Sequence, residues 1–541
     1  MAGFVEKFRL LSNAADPEAK PEMLFADIFP VSHQENSMNT DRPPLVVEKL
    51  SAFLTTPLET ILRRRIAADP SRHALQLFKT AAAEVPAYRL FLQERGIDPD
   101  SIVAGGGFAS LPLMDKANYM HKYPLPARCK DGLLAACDRL AVSSGSTGIP
   151  TFWPRAMTDE LDIASHFEHV FRHSFRADRR ATLAVVCFPL GNWVGGVFTA
   201  SCCWHLAQKG YPLTVATPGN KPDEILRVVR ELGPFFEQTV LLGYPPFVKD
   251  VIDTGAAQGL DWSTLHIKFV FAGEVFSEEW RSLMLQRVGS AAPCHGSASL
   301  YGTADGGVLG NETPLSIAIR RFLSEHPDVA RELFGESRLP TLVQYDPVSR
   351  YFELIDENTL AVTGDNGVPL IRYHIADRGG LIGHDELIAF LQARGLAALE
   401  NYGFQGEAFP LPFVWIFGRA DFTVSFYGAN IYPENVVVGL EQPELANRVS
   451  GKFVMEVKND RNGSEFLCIA VELLPGVMAD AGIEAAAASA VHTQLLRLNS
   501  EFANYVPPPR QMPRIELRPF GDPEYFPVGV KHRYTRRQTP A

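Results

Sequence analysis

Between residues 181 and 271 the sequence alternates short apolar runs with helical patterns, and this alternation limits the fold more than any other feature of the chain. Residues 184–188, 213–216, 239–242 and 269–271 are strand-like runs, separated by amphipathic stretches such as 223–232. Strands that alternate with helices in this way predict parallel sheets buried on both faces. The expected class is therefore α/β: a large N-terminal domain of mixed or parallel sheets flanked by helices, with ligands at the strand ends. A chain of 541 residues exceeds one ordinary core, so further domains are expected.

Upstream, the apolar run 140–142 leads into Ser143, Ser144, Gly145, Ser146, Thr147 and Gly148, followed by Ile149 and Pro150. Glycines let backbone N–H groups approach an anion, and the hydroxyls add donors, so this turn reads as a phosphate cradle. It is not a Walker A loop, which needs a lysine that is absent here.

The turn resembles the SSGTTGKPT loop of the adenylate-forming superfamily, and further stretches carry the same resemblance in the same order. Tyr301 to Asp305 resembles the YGxTE motif, 371–377 the IRYxTGD motif, and 418–421 the GRxD hinge; the C-terminal basic cluster holds Lys531. Residues 85–88, 111–116, 188–196, 272–274 and 426–434 resemble the phenylacetate–coenzyme A ligase branch in particular.

The resemblance implies an extension over 1–57, an N-terminal domain over 58–420 that binds ATP and the acid, and a small α+β lid domain over 421–541. It implies that Ser143 to Gly148 wrap the phosphates, that Glu274 closes the adenine pocket, and that Tyr301 and Gly302 border the adenine or acyl group. Thr303 would sit beside the α-phosphate, Asp305 would hold Mg²⁺, and Asp377 would accept from the ribose hydroxyls. Arg419 would contact ribose or phosphate, Asp421 would be the hinge, and Lys531 would enter the site as the lid lysine. Arg372 is open between an ion pair and a ligand contact. Phe188, Trp193, Phe198 and Tyr301 would shape the acid pocket.

The implied activity is ATP-dependent conversion of an aromatic or hydrophobic acid to acyl-AMP, then transfer to coenzyme A. The closing segment also resembles plant hormone amido synthetases, so an amine acceptor stays open. Ile149 stands where the loop usually has Lys, and Ala304 where relatives place Ser or Thr, which keeps a catalytically degenerate nucleotide-binding protein among the alternatives.

A net charge of −11 argues against nucleic acid or an anionic membrane as the partner. No apolar run reaches the ~18 residues of a membrane span, and seven cysteines without a CxxC pair suggest reduced thiols, so a cytoplasmic enzyme is expected. A homodimer stays open.

Overall fold

The computed structural model describes residues 45–541 except 104–106, 144–150, 193, 337–338, 419–423, 428, 461–464, 500–501, 504–505, 528–531, 533 and 536–541. The chain divides into two units between Glu48 and Lys49. In the second unit, helices Leu58–Ala67, Pro70–Glu84 and Pro86–Gln93 follow one another, each with proline at its start or just before it. Proline suits that position because the N–H it lacks would have no intrahelical partner. Gly96 takes φ +66° at the exit of the last helix, a left-handed turn that ends it.

A hairpin of β1 (Arg139–Ser143) and β2 (Thr151–Arg155) flanks the Ser/Gly/Thr turn. The main sheet holds β3 (Thr182–Val186), β4 (Leu213–Ala216), β5 (Gln238–Gly243), β6 (Ile267–Ala272), β7 (Ser297–Thr303), β8 (Gly307–Asn311), β9 (Thr341–Gln344), β10 (Tyr351–Ile355), β11 (Thr359–Gly364), β12 (Leu370–Ile382) and β13 (Phe413–Gly418). Its order is β10-β11-β12-β13-β9-β8-β7-β6-β5-β3-β4. Strands β4, β3, β5, β6 and β7 are parallel, and every pairing from β7–β8 to β11–β10 is antiparallel. Strands β3 and β5 are buried along their whole length, as the apolar runs require of strands covered on both faces.

Residues 424–515 supply a core of their own. Strands β14 (Val424–Phe426), β15 (Ala429–Ile431), β16 (Val449–Asn459), β17 (Glu465–Leu473) and β18 (Arg514–Arg518) pack with helices Pro433–Leu440 and Ala481–Leu498 around Phe426, Phe453, Ile469 and Val491. Polar contacts tie this part to the main sheet's helices. Lys452 pairs with Asp250, Arg287 donates to the Ala446 carbonyl at 3.0 Å, and Ser277 donates to Glu441 at 3.0 Å. Among the described residues no helix is long and apolar enough to cross a membrane.

Candidate active site

The parallel half of the sheet ends in a row of loops. Phe188 follows β3, Tyr244 follows β5, Gly273 and Glu274 follow β6, and the turn 303–307 joins β7 to β8, where parallel pairing gives way to antiparallel. Because β3, β5, β6 and β7 are neighbours, these loops lie side by side at the carboxyl edge, the usual ligand position of an open α/β sheet.

The antiparallel half curls back over this edge. Four strand spacings separate β7 from β12 in the sheet order, about 19 Å in a flat sheet. Yet the Tyr301 hydroxyl donates to Asp377 Oδ2 at 2.7 Å, and the Tyr373 hydroxyl donates to Asp305 Oδ2 at 2.7 Å. Asp377 reaches inward through an irregularity in β12: Thr359 pairs with Arg378 but Ala361 with His374, and Ala376 has φ +64°. A bulge of this kind re-aims a side chain that regular pairing would direct elsewhere.

Thr303 Oγ1 accepts from the Gly306 N–H at 2.9 Å, which leaves its own O–H to donate elsewhere. Arg155 Nη2 donates to the carbonyls of Ala304 at 2.6 Å and Asp305 at 2.8 Å, and Arg350 Nη2 donates to that of Gly306 at 3.1 Å. Burial pushes the Arg155 guanidinium down to about 10. Lys116 Nζ lies 3.7 Å from Asp305 Oδ1. It is delivered there by the preceding segment, where Met114 donates to the Arg372 carbonyl at 3.2 Å and accepts from His374 N–H at 2.8 Å, alongside Tyr373.

As placed, Asp305 does not fit the metal-ligand role expected from the sequence. Its carboxylate is 4% exposed, bonded by Tyr373 on one oxygen and facing an ammonium on the other. Among the described residues no group of three or more His, Cys, Asp and Glu side chains is arranged to hold a metal. Arg372 is structural: its Nε donates to both Glu353 oxygens, at 3.1 and 3.0 Å, and its Nη1 donates to the Leu111 carbonyl.

Glu274 Oε2 accepts from the Tyr534 hydroxyl, so the C-terminal tail reaches the loop after β6. That tail is anchored on both sides of its bend, by His532 Nε2 on the Phe453 carbonyl at 2.8 Å and by the Met455–Thr535 bridge. Tyr301 is 9% exposed and runs parallel to Phe352, with ring centroids 6.4 Å apart. Phe188 is 2% exposed in the core and meets Tyr244 edge to face at 5.0 Å. Phe198 is half-buried, with its ring against Gly307.

Ser144, Gly145, Ser146, Thr147, Gly148, Trp193, Arg419, Asp421 and Lys531, and the side chain of Ser143, lie outside the described residues. Glu274, Tyr301, Gly302, Thr303, Asp305 and Asp377 lie on the carboxyl-edge loops or on strands that face them. Lys116, Arg155, Arg350 and Tyr373 join them, and sequence reasoning assigns none of the four a role. Of these, Lys116 and Tyr373 left a signal, standing in the stretches 111–116 and 371–377 that already resembled the ligases.

Solved structures share this architecture. A 2-hydroxyisobutyryl-CoA ligase in the postadenylation state, in complex with 2-HIB-AMP, superposes with a TM-score of 0.59 at 14% identity, covering 87% of this chain and 88% of that one. The fold is that of the adenylate-forming ligases. The sequence is similar to phenylacetate–coenzyme A ligases. The one from Aromatoleum evansii is 23% identical over 436 residues, 76% of this chain and 83% of that protein. The one from Thermus thermophilus is 23% identical over 402 residues, 72% and 78% of the two chains. No protein-family model matches the chain. The adenylate-forming fold thus extends over most of the protein.

Proposed function

We propose that the protein is an ATP-dependent acid–CoA ligase that activates an aromatic or hydrophobic carboxylic acid as its acyl-AMP. The observation that carries this reading is the convergence of Tyr301, Thr303 and Asp377 at the carboxyl edge of the parallel strands. Likeness to named phenylacetate–coenzyme A ligases over about three quarters of the chain supports it.

In the first step a carboxylate oxygen of the acid attacks the α-phosphorus of ATP. The bond to the bridging oxygen breaks, and pyrophosphate leaves in line. Positioning and fixed charge supply nearly all of the acceleration in such a transfer. Asp377, held by the Tyr301 hydroxyl, accepts from the ribose hydroxyls. The Thr303 O–H donates at the α-phosphate, the turn Ser143 to Gly148 wraps the outer phosphates, and Glu274 and Gly302 border the adenine. Arg419 beside the hinge and Lys531 near the chain end bring cationic donors, and Lys116 adds an ammonium next to Asp305. Phe198, Trp193 and the edge of Tyr301 flank the acid.

In the second step a coenzyme A thiolate sulfur attacks the acyl carbonyl, the mixed anhydride breaks, and AMP departs with its electron pair. Residues 421–541 form the lid that turns about Asp421 between the two steps. Incubation with ATP, magnesium and a panel of aryl, aryl-acetic and medium-chain acids, with coenzyme A or amino acids as acceptor, tests this by product mass. Acid-dependent AMP with an acyl-CoA is expected. AMP with an amide would replace the acceptor, and no AMP with any acid would remove the ligase reading.

A further inference from the structure

Arg155 and Arg350 stand behind the turn that carries Thr303 and Asp305, and they take three consecutive carbonyls of it. Arg155 closes β2 and is 3% exposed, and Arg350 follows the turn after β9 and is 2% exposed. Both bond the turn through its main chain. They hold the carbonyls of Ala304, Asp305 and Gly306 at 2.6, 2.8 and 3.1 Å. A planar guanidinium with donors in a rigid fork can grip two successive carbonyls, which an ammonium on a flexible stem does poorly.

Glycine makes room for the backbone that carries Arg155 and for the side chain of Arg350. A Cβ on Gly367 would sit 2.4 Å from the Pro154 carbonyl oxygen and 3.1 Å from the Arg155 nitrogen. A Cβ on Gly364 would sit 3.0 Å from Arg350 Nη1 and 3.2 Å from its Cδ. Asn366, between these glycines, accepts from Arg350 Nη2 at 3.3 Å. Segment 364–367 therefore seats the Arg350 guanidinium and packs against the backbone of 154–155 that carries Arg155.

We infer that Arg155 and Arg350 are positioning residues that clamp the 304–306 carbonyls, orient the Thr303 hydroxyl toward the nucleotide, and place positive charge behind the phosphate-facing turn. The inference rests on the nucleotide reading for the 301–305 segment. It explains how the site works without the loop lysine, replaced by Ile149, and without the hydroxyl lost at Ala304. Two fixed charges behind the peptide planes polarise the turn's N–H groups toward an anion.

Arg155→Lys and Gly367→Ala in the full-length chain test this. The first keeps the charge but loses the fork, and the second keeps Arg155 but displaces its seat. Amide hydrogen exchange over residues 297–311 is read with and without ATP. KM for ATP, KM for the acid and acyl transfer from preformed acyl-AMP are read in parallel. Both variants should speed exchange in that peptide while the core strands stay protected. Both should raise the KM for ATP about 10- to 100-fold, with the KM for the acid and transfer from acyl-AMP within about threefold. If Arg155→Lys fails to fold, Gly367→Ala carries the comparison. Unchanged protection in 297–311 for a folded variant overturns the clamp even when wild-type adenylation is intact. Absence of adenylation in the wild type overturns the ligase reading instead, while the exchange data still decide the clamp.

Discussion

The Tyr301 hydroxyl donates to Asp377 Oδ2 at 2.7 Å, a bond between β7 and β12, strands that three others separate in the sheet order. It reports the curl of the antiparallel half and fixes the carboxylate assigned to ribose. Tyr301→Phe keeps the ring and removes one donor from a charged acceptor. It should cost about 1–3 kcal/mol and raise the KM for ATP about tenfold. Asp377→Ala should raise it further, with the KM for the acid unchanged. Steady-state kinetics in ATP at saturating acid check both, and an unchanged nucleotide dependence would remove Asp377 from the site.

Behind β7, four charges neutralise one another out of water. Arg281 donates to Glu312 at 2.7 Å and to Glu278 at 2.9 Å, while Arg320 donates to Glu312 at 3.0 Å and to the Phe276 carbonyl at 2.9 Å. Glu312 also accepts from the Ser299 N–H at 2.8 Å, fixing β7 two residues before Tyr301. Glu312→Gln should cost about 3–5 kcal/mol, because it leaves two buried guanidiniums to share the one carboxylate of Glu278. Denaturant unfolding checks the magnitude, and a loss under about 1 kcal/mol would contradict the network's role.

Stability should fall on mild acidification. His166 is 5% exposed and its Nδ1 donates to Asn311 Oδ1 at 2.8 Å; burial pushes its pKa down to about 4. The unfolded chain takes up this proton near pH 6.5 and the folded chain only near 4. Between those values the unfolded state binds more protons, and stability drops as pH falls. The full contribution is about 3 kcal/mol. His532, on the Phe453 carbonyl, is pushed to about 4 by burial and adds in the same direction. Urea unfolding at pH 7 and pH 5 should show the loss in the wild type and a smaller one in His166→Gln.

Tyr534 on Glu274 ties the basic tail to the loop after β6. Lys531→Ala should lower adenylation more than about 100-fold and leave transfer from preformed acyl-AMP within about threefold. Tyr534→Phe keeps the lysine and loosens its anchor, so its adenylation should fall less than tenfold. Equal losses in both half-reactions for Lys531→Ala would contradict its assignment.

Much of the scaffold was legible because burial on both faces leaves an apolar mark in sequence. The runs at 184–188, 213–216, 239–242 and 269–271 coincide with β3, β4, β5 and β6, and the helix read at 223–232 is Pro222–Leu232. The site was legible only where a local motif carries it. Arg155 and Arg350 act on one turn from 150 and 44 residues away, and Tyr373 meets Asp305 across 68. Such pairings depend on the curl of the antiparallel half, which leaves no periodicity behind. For Phe188 the sequence is silent between two roles, since an aromatic after a buried strand looks the same whether it closes a core or lines a pocket.

Exchange of radiolabelled pyrophosphate into ATP, run over the acid panel with coenzyme A and amines both omitted, tests the central claim most directly. Exchange that depends on an aromatic or hydrophobic acid and disappears in Lys531→Ala is the expected result. No exchange with any acid, in protein shown separately to bind ATP, would contradict adenylation as its chemistry.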